Sequence, residues 1–252
     1  MKNPRNILIT GGSSGIGEAL AMHYAAPGVF LALSGRDTAR LEAVAARCRE
    51  QGAEVAAETV DVTDRPAMEA WMHQVDAKKP LDLVIANAGI SMGRNASNTL
   101  ADIAEKSFAA NVSGVFHTIH PAIDAMTARA RGQIAIVASV AGLMGMPGHP
   151  VYSASKNAVR AYGEARRGTL APHGIEVNVI CPGFIESRMT AKNDFPMPFI
   201  MTAEKAARII VSGLARNKAR IAFPWQLYYL VRLITFLPIA LATKLLGRGF
   251  KK

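Results

Sequence analysis

Up to residue 223 the chain alternates short runs of β-branched and other apolar residues with longer stretches of helical spacing. Seven of these runs predict strands, over residues 6–10, 29–34, 54–60, 81–86, 133–139, 176–180 and 219–223. Several are apolar at nearly every position, as expected of strands covered on both faces. Between them, stretches such as 38–51 and 66–78 space their apolar residues three and four apart, like helices with one buried side. Strand and helix in alternation build βαβ units. The expectation is therefore an α/β fold, a doubly wound, Rossmann-like parallel sheet of seven strands. No repeat, low-complexity segment or linker divides residues 1–223, which read as one domain.

Residues 224–252 follow a different pattern. Aromatics and leucines crowd the stretch from Trp225 to Leu237, interrupted only by Gln226, Arg232 and Thr235, and Pro238 closes it. The uninterrupted apolar runs fall short of the roughly 20 residues that a membrane-spanning helix needs. This is a C-terminal amphipathic helical appendage. Its composition fits helices lying in a membrane interface, with a dimer contact or a hydrophobic pocket wall as the alternatives.

Charge sharpens that picture. The net charge of +10 suggests nucleic acid until the charges are located. No acidic residue follows Glu204, whereas Lys205, Arg208, Arg216, Lys218, Arg220, Arg232, Lys244, Arg248, Lys251 and Lys252 do. Those ten cations equal the whole excess, so the body of the chain is neutral and nucleic acid is not an expected partner. The two cysteines, Cys48 and Cys181, suggest no disulfide framework. The opening residues lack the long apolar core and cleavage site of an export signal, so a cytoplasmic location, peripheral on the membrane face, is expected.

The first strand runs into Thr10-Gly11-Gly12-Ser13-Ser14-Gly15-Ile16-Gly17 and then a helix. Glycines at 11, 15 and 17 let the backbone turn sharply and approach a pyrophosphate, which the helix N-terminus favours electrostatically. Strand two ends in Ser34-Gly35-Arg36-Asp37. An acid at that tip would take a ribose 2′-hydroxyl; a fixed guanidinium suits a 2′-phosphate, so NADP(H) is favoured over NAD(H). Asp37 also stands where the next helix wants an N-cap. Asp61, in Asp61-Val62-Thr63, reads either as an acceptor for an adenine edge or as the cap of its own turn.

Tyr152 and Lys156 lie four apart in a helical stretch and so share a face. A tyrosine ionises near pH ~10, too high for acid–base work at neutrality, and a neighbouring ammonium lowers that value. Ser139, at the expected end of a strand, can hold an oxygen on which negative charge builds.

These motifs, taken in order, resemble the short-chain dehydrogenases/reductases across about residues 6–223. The glycine loop is followed by Asn87-Ala88-Gly89, Asn111, Ser139, Tyr152-x-x-x-Lys156 and the turn Cys181-Pro182-Gly183. The resemblance implies a dinucleotide-binding catalytic domain that interconverts a ketone and a secondary alcohol. Tyr152 would act as proton donor, Lys156 would hold the nicotinamide ribose, Ser139 the substrate, and Asn111 a water in a proton relay. Gly11, Ser13, Ser14, Gly15, Ile16 and Gly17 would cradle the cofactor, with Ser34, Arg36, Asp61 and Val62 at its adenosine end. Asn87, Ala88, Gly89, Pro182, Gly183, Ile185 and Ser187 would complete that site, next to Tyr152 and Lys156. Ser187 departs from the usual threonine but keeps the hydroxyl. By the same resemblance, helices around residues 101–126 and 151–170 would pair copies into a homodimer or homotetramer.

Other classes fit less well. Ser153-Ala154-Ser155-Lys156 spells a serine-hydrolase motif without its S-D-N and K-T-G companions. His117 and His120 have no evident third metal ligand, and no metal is expected. A protein that binds NADPH as a sensor, without turnover, has no need of a tuned tyrosine. The apolar stretch 195–201 reads as a lid over a hydrophobic substrate or as core packing. Lid and tail together point to a 3-oxoacyl, sphingoid or steroid-like ketone.

Overall fold

The computed structural model describes residues 1–92 and 99–248; Lys251 and Lys252 of the basic tail lie outside the described residues. Seven strands, β1 (Asn6–Thr10), β2 (Phe30–Ser34), β3 (Glu54–Glu58), β4 (Leu83–Ala86), β5 (Gly132–Val137), β6 (Ile175–Pro182) and β7 (Arg220–Phe223), form one sheet in the order β3-β2-β1-β4-β5-β6-β7. Every pairing is parallel. The helices are α1 (Gly15–Tyr24), α2 (Thr38–Glu50), α3 (Arg65–Lys78), α4 (Leu100–Phe108), α5 (Gly114–Ala128), α6 (Pro150–Leu170), α7 (Ala203–Ala215), α8 (Trp225–Ile234) and α9 (Ile239–Arg248).

The continuous apolar runs are explained by the two cores they serve. Because side chains alternate across a strand, Leu8, Phe30, Ala32, Val84 and Ile134 enter the core on one face. Their neighbours Ile7, Ile9, Leu31, Leu33, Leu83, Ile85 and Ala135 enter the core on the other. The strand order reverses beside β1, between β2 and β4, and that reversal opens a crevice at the carboxyl edge of the sheet.

Local signals set the helix starts. Asp37 accepts from the Arg40 N–H at 3.0 Å and Asp64 from the Ala67 N–H at 3.0 Å, each capping its helix. Thr202 caps α7 through the Lys205 N–H. Only β1 keeps both expected ends; the other strands begin or stop one or two residues from the sequence expectation, β6 running on to Pro182 and not stopping at 180. β3 stops at Glu58 and not at residue 60, and β4 begins at Leu83 and not at 81. β5 stops at Val137, so Ser139 does not end a strand. It caps a 3-10 turn over Val140–Leu143, accepting from the Ala141 N–H at 3.1 Å. A serine hydroxyl competes well for such a free N–H, so the chain turns just past the last bond to β6, Ala138 N–H to the Ile180 carbonyl.

Between α4 and α5 the chain widens into a π-helical turn over Ala109–Ser113 that contains Asn111. The tail is not detached from the body. Val231 of α8 belongs to the same core as Val159 of α6, with Leu227, Tyr228 and Leu246 packed against it. Arg220 donates to Glu164 of α6 and to the Tyr228 hydroxyl, tying α8 to the helix that carries Tyr152.

Candidate active site

The crevice deepens into a cavity of about 610 Å³. All but two of the residues expected at the site line it, Gly11, Arg36, Ser139, Tyr152 and Ser187 among them. The two exceptions, Gly17 and Asn111, act from behind the wall.

At the glycine loop the backbone makes the site. Gly11 and Gly15 adopt φ of +68° and +55°, a region that favours glycine. A Cβ on Gly17 would stand 2.2 Å from the Gly11 carbonyl oxygen, so only glycine lets α1 start this close to the loop. Asn87 holds the loop from the neighbouring strand, its Nδ2 donating to the carbonyls of Thr10 at 3.0 Å and Gly11 at 3.2 Å. The Thr10 hydroxyl accepts from the N–H groups of Asn87 and Ala88 in return. Sequence reading passed over Thr10, because a threonine ending a strand carries no signal of its own. Ser14 makes no side-chain cap bond, which leaves the first N–H groups of α1 for an anionic ligand.

At the adenosine end, Ser34 Oγ is buried and has no hydrogen-bond partner among the described residues; Arg40 Nε is in the same condition. Both residues line the cavity. An orphaned buried hydroxyl is costly, and its place in the cavity lining fits a ligand that would satisfy it. Arg36 lies 4.0 Å from Asp61, both well exposed. Asp61 does two jobs: one oxygen accepts from the N–H and hydroxyl of Thr63, and the other faces Arg36. A dinucleotide fits this set, with glycine backbone for its phosphates and Arg36 and Arg40 for charge beyond the ribose.

At the other end, Lys156 is 4 % exposed, and its Nζ donates to the Val137 carbonyl at 2.9 Å. Desolvation pulls its pKa down to about 8. Its Nζ is 5.9 Å from the Tyr152 ring centroid. Contrary to the expectation of a tyrosine held low by this ammonium, Tyr152 is pushed up by burial, and only the hydrogen bond with Ser139 acts the other way. The physical reason is the apolar cleft wall, which disfavours the phenolate more than Ser139 stabilises it.

Asn111 is fully buried. Its Oδ1 accepts from the Ile90 N–H at 2.8 Å, while Nδ2 donates to the Ile90 carbonyl and to Ser155 Oγ. It thereby pins the segment after Asn87-Ala88-Gly89 to α6. Ser155 is another residue that the sequence did not single out. Ser153, the nucleophile of the hydrolase reading, is 1 % exposed and bonded to the Pro150 carbonyl and the Met146 N–H, so no substrate reaches it. His117 bonds the Val62 carbonyl and His120 the Tyr162 hydroxyl, the ordinary helix roles.

The substrate end is apolar. Phe195, Pro196 and Pro198 of the stretch 195–201 line the cavity, while Met201 is buried in the core, as the packing alternative expects for that residue. His149 lines it too, its ring centre 5.3 Å from that of Phe195 and its pKa lowered by burial. Leu227, Leu230, Val231 and Ile234 of α8 and Leu245 and Leu246 of α9 close the far wall.

Comparison with known proteins agrees with this geometry. The sequence pattern of the short chain dehydrogenases matches residues 5–196. An oxidoreductase of Myxococcus xanthus is 37% identical over 235 residues, 93% of each chain. Mouse epidermal retinol dehydrogenase 2 is 33% identical over 242 residues, covering 92% of this chain and 78% of its own. A short-chain dehydrogenase from Sphingobium yanoikuyae, solved in complex with NADPH, superposes with a TM-score of 0.81 at 25% identity, covering 98% of this chain and 96% of that one. With its Rossmann-like sheet, glycine loop and Ser139, Tyr152 and Lys156 in one cleft, this chain belongs to the short-chain dehydrogenase/reductase family of oxidoreductases.

Proposed function

We propose that the protein reduces a hydrophobic ketone to a secondary alcohol with NADPH, using Tyr152 as the general acid. The observation that carries this reading is the convergence of Ser139, Tyr152 and Lys156 on one cavity with the glycine loop. The nicotinamide cofactor, when bound, supplies the hydride. Ser139 orients the substrate oxygen, and Tyr152 hands its proton to that oxygen as charge builds there. A tyrosine kept protonated by burial is suited to the donor role in the reductive direction. Lys156, held by the Val137 carbonyl beside Gly89, offers its remaining protons to the nicotinamide ribose and its charge to the developing phenolate. Asn111 serves through the backbone it pins and, by the resemblance, in positioning a water of a proton relay. Asn87 holds the loop, and Ile185 and Ser187 border the carboxamide.

Arg36, helped by Arg40, is the basis for preferring NADPH over NADH. The apolar far wall favours a long-chain 3-oxo, sphingoid or steroid-like ketone, and the retinol named in the mouse relative is of the same lipophilic kind. Residues 224–252 attach the enzyme peripherally to the cytoplasmic face of a membrane; no described helix is long and apolar enough to cross one. Copies pair through α5 and α6 as a dimer or tetramer.

The test is a fluorescence titration with NADPH and NADH, followed by loss of reduced-nicotinamide absorbance across ketones from short and polar to long and apolar. Tight NADPH binding with turnover of the long ketones is expected. Tight binding with no turnover across the panel would favour the sensor reading, and no binding of either nucleotide would overturn the proposal.

A further inference from the structure

Helix α8 is apolar on both sides. Leu227, Leu230, Val231 and Ile234, spaced along one stripe, face the cavity. Around the rest of the helix and just past its end, Trp225, Tyr229, Leu233 and Phe236 stand 66%, 62%, 67% and 75% exposed. A helix with one face on a core and the other in water carries polar residues outside; a helix apolar all round is one that something covers. In α9 the same division recurs, with Leu245 and Leu246 on the cavity and Ile239 and Leu241 outward. Leu230 and Leu245 do both: they line the cavity and are 52% and 42% exposed. Apolar side chains therefore lead from the outside of the tail, over a sill made by these two leucines, to the substrate end of the cleft.

We infer that this surface is a port through which the substrate passes from a lipid bilayer into the cleft, so that the membrane-facing side of the enzyme and the mouth of its active site are one surface. The inference deepens the proposed reduction of a lipophilic ketone and rests on it for the identity of the cargo. Charge decides between a bilayer and a second copy. Arg232 and Lys244 are exposed among the apolar residues, and no carboxylate follows Glu204. Two copies docked tail to tail about a twofold axis would bring these cations together with no acid from either tail to neutralise them. Anionic headgroups supply that neutralisation, and tryptophan and tyrosine rings suit the headgroup level of an interface. A long apolar ketone dissolved in the bilayer then reaches Tyr152 along a hydrophobic path.

The test compares the wild type with the double variant Trp225→Glu, Phe236→Glu, whose changes lie outside the cavity wall. Two ketones are used: a short water-soluble one, and a long-chain methyl ketone carried in vesicles containing phosphatidylserine. The variant should lose about tenfold or more in kcat/KM on the vesicle-borne ketone and change little on the soluble one, with NADPH binding and Tm unaltered. Diluting the long ketone with extra lipid at constant bulk concentration should slow the wild type. Equal loss on both ketones, or no loss on either, would overturn the port. So would a wild-type dimer that the variant splits, since that result assigns the face to a second copy. If neither ketone turns over, the proposed reaction fails while cosedimentation still reads the docking: wild type pelleting with anionic but not neutral vesicles, and variant staying in the supernatant, supports it, and equal partition of the two counts against it.

Discussion

The glycine loop and the helices after β7 line opposite ends of one cleft and are made on opposite terms. At the loop the backbone is the functional surface. Gly17 leaves no room for a Cβ, Asn87 and Thr10 exchange hydrogen bonds with the chain beside it, and Ser34 and Arg40 keep buried polar atoms unpaired. At the tail the functional surface is side chain alone. Leucine, valine and isoleucine meet the cavity with no directional bond, and two of them, Leu230 and Leu245, are also exposed outside. Polar recognition by a fixed backbone demands one geometry, whereas an apolar wall needs only volume and shape. Within one cleft, the cofactor end should tolerate little change and the substrate end a good deal.

Five experiments probe that contrast, the largest effect first. Tyr152→Phe, where the two ends meet, should cut turnover by about 10²–10⁴-fold while NADPH titration stays unchanged, because only the proton donor is removed. Full-rate reduction by this variant would end the proposed chemistry. Gly17→Ala should lower stability by about 1–3 kcal/mol and abolish nucleotide binding, since the new methyl overlaps the Gly11 carbonyl. Thermal melts and the same titration read both effects, and a variant that binds NADPH normally would show the loop to be softer than its packing implies.

Arg36→Ala should weaken NADPH binding by about 10–100-fold, the range for a lost bond to a charged group, and leave NADH nearly unaffected. A matching loss for both nucleotides would move Arg36 out of the 2′-phosphate site. A pH profile of kcat/KM for reduction should fall above about pH 8, where the Lys156 ammonium is lost. Lys156→Arg should carry that limb to higher pH, at reduced rate. The stability effect has a definite sign. Below about pH 8, Lys156 is charged in both the folded and the unfolded chain, and the cost of burying it is present in full. Between there and 10.5 the folded chain has released a proton that the unfolded chain retains, so this group adds stability as pH rises. At the substrate end, Leu230→Ala should raise KM for a long-chain ketone by only about threefold and leave NADPH affinity unchanged, because a half-exposed wall residue gives up little contact. A loss on the scale of Gly17→Ala would break the comparison.

The periodicity of the chain was enough to place all seven strands and their parallel pairing, because a strand covered on both faces must be apolar on both. Glycine spacing likewise marked the cofactor loop, since close backbone approach admits no other residue. Local competition was harder to see. Ser139 caps a turn just past the last bond of β5 to β6, and nothing in the run of apolar residues announces that.

What the sequence determined by itself, then, is the sheet, the glycine loop and the shared face of Tyr152 and Lys156, which follow from short-range spacing, while Ser139 joined them through the resemblance of the ordered motifs to a family. What only the tertiary structure decided depends on neighbours distant in the chain. The pKa of Tyr152 moves up because apolar walls from several elements desolvate it, outweighing the Ser139 hydrogen bond. Asn111 reaches across to Ile90 and Ser155. The tail, ambiguous as a sequence because an apolar helix fits a core, an interface or a membrane, becomes a cavity wall with an exposed outer face only once α8 is laid against β7 and the 3-10 turn over Val140–Leu143. Apolar contact carries no address in the sequence; burial is assigned by what the rest of the chain brings alongside.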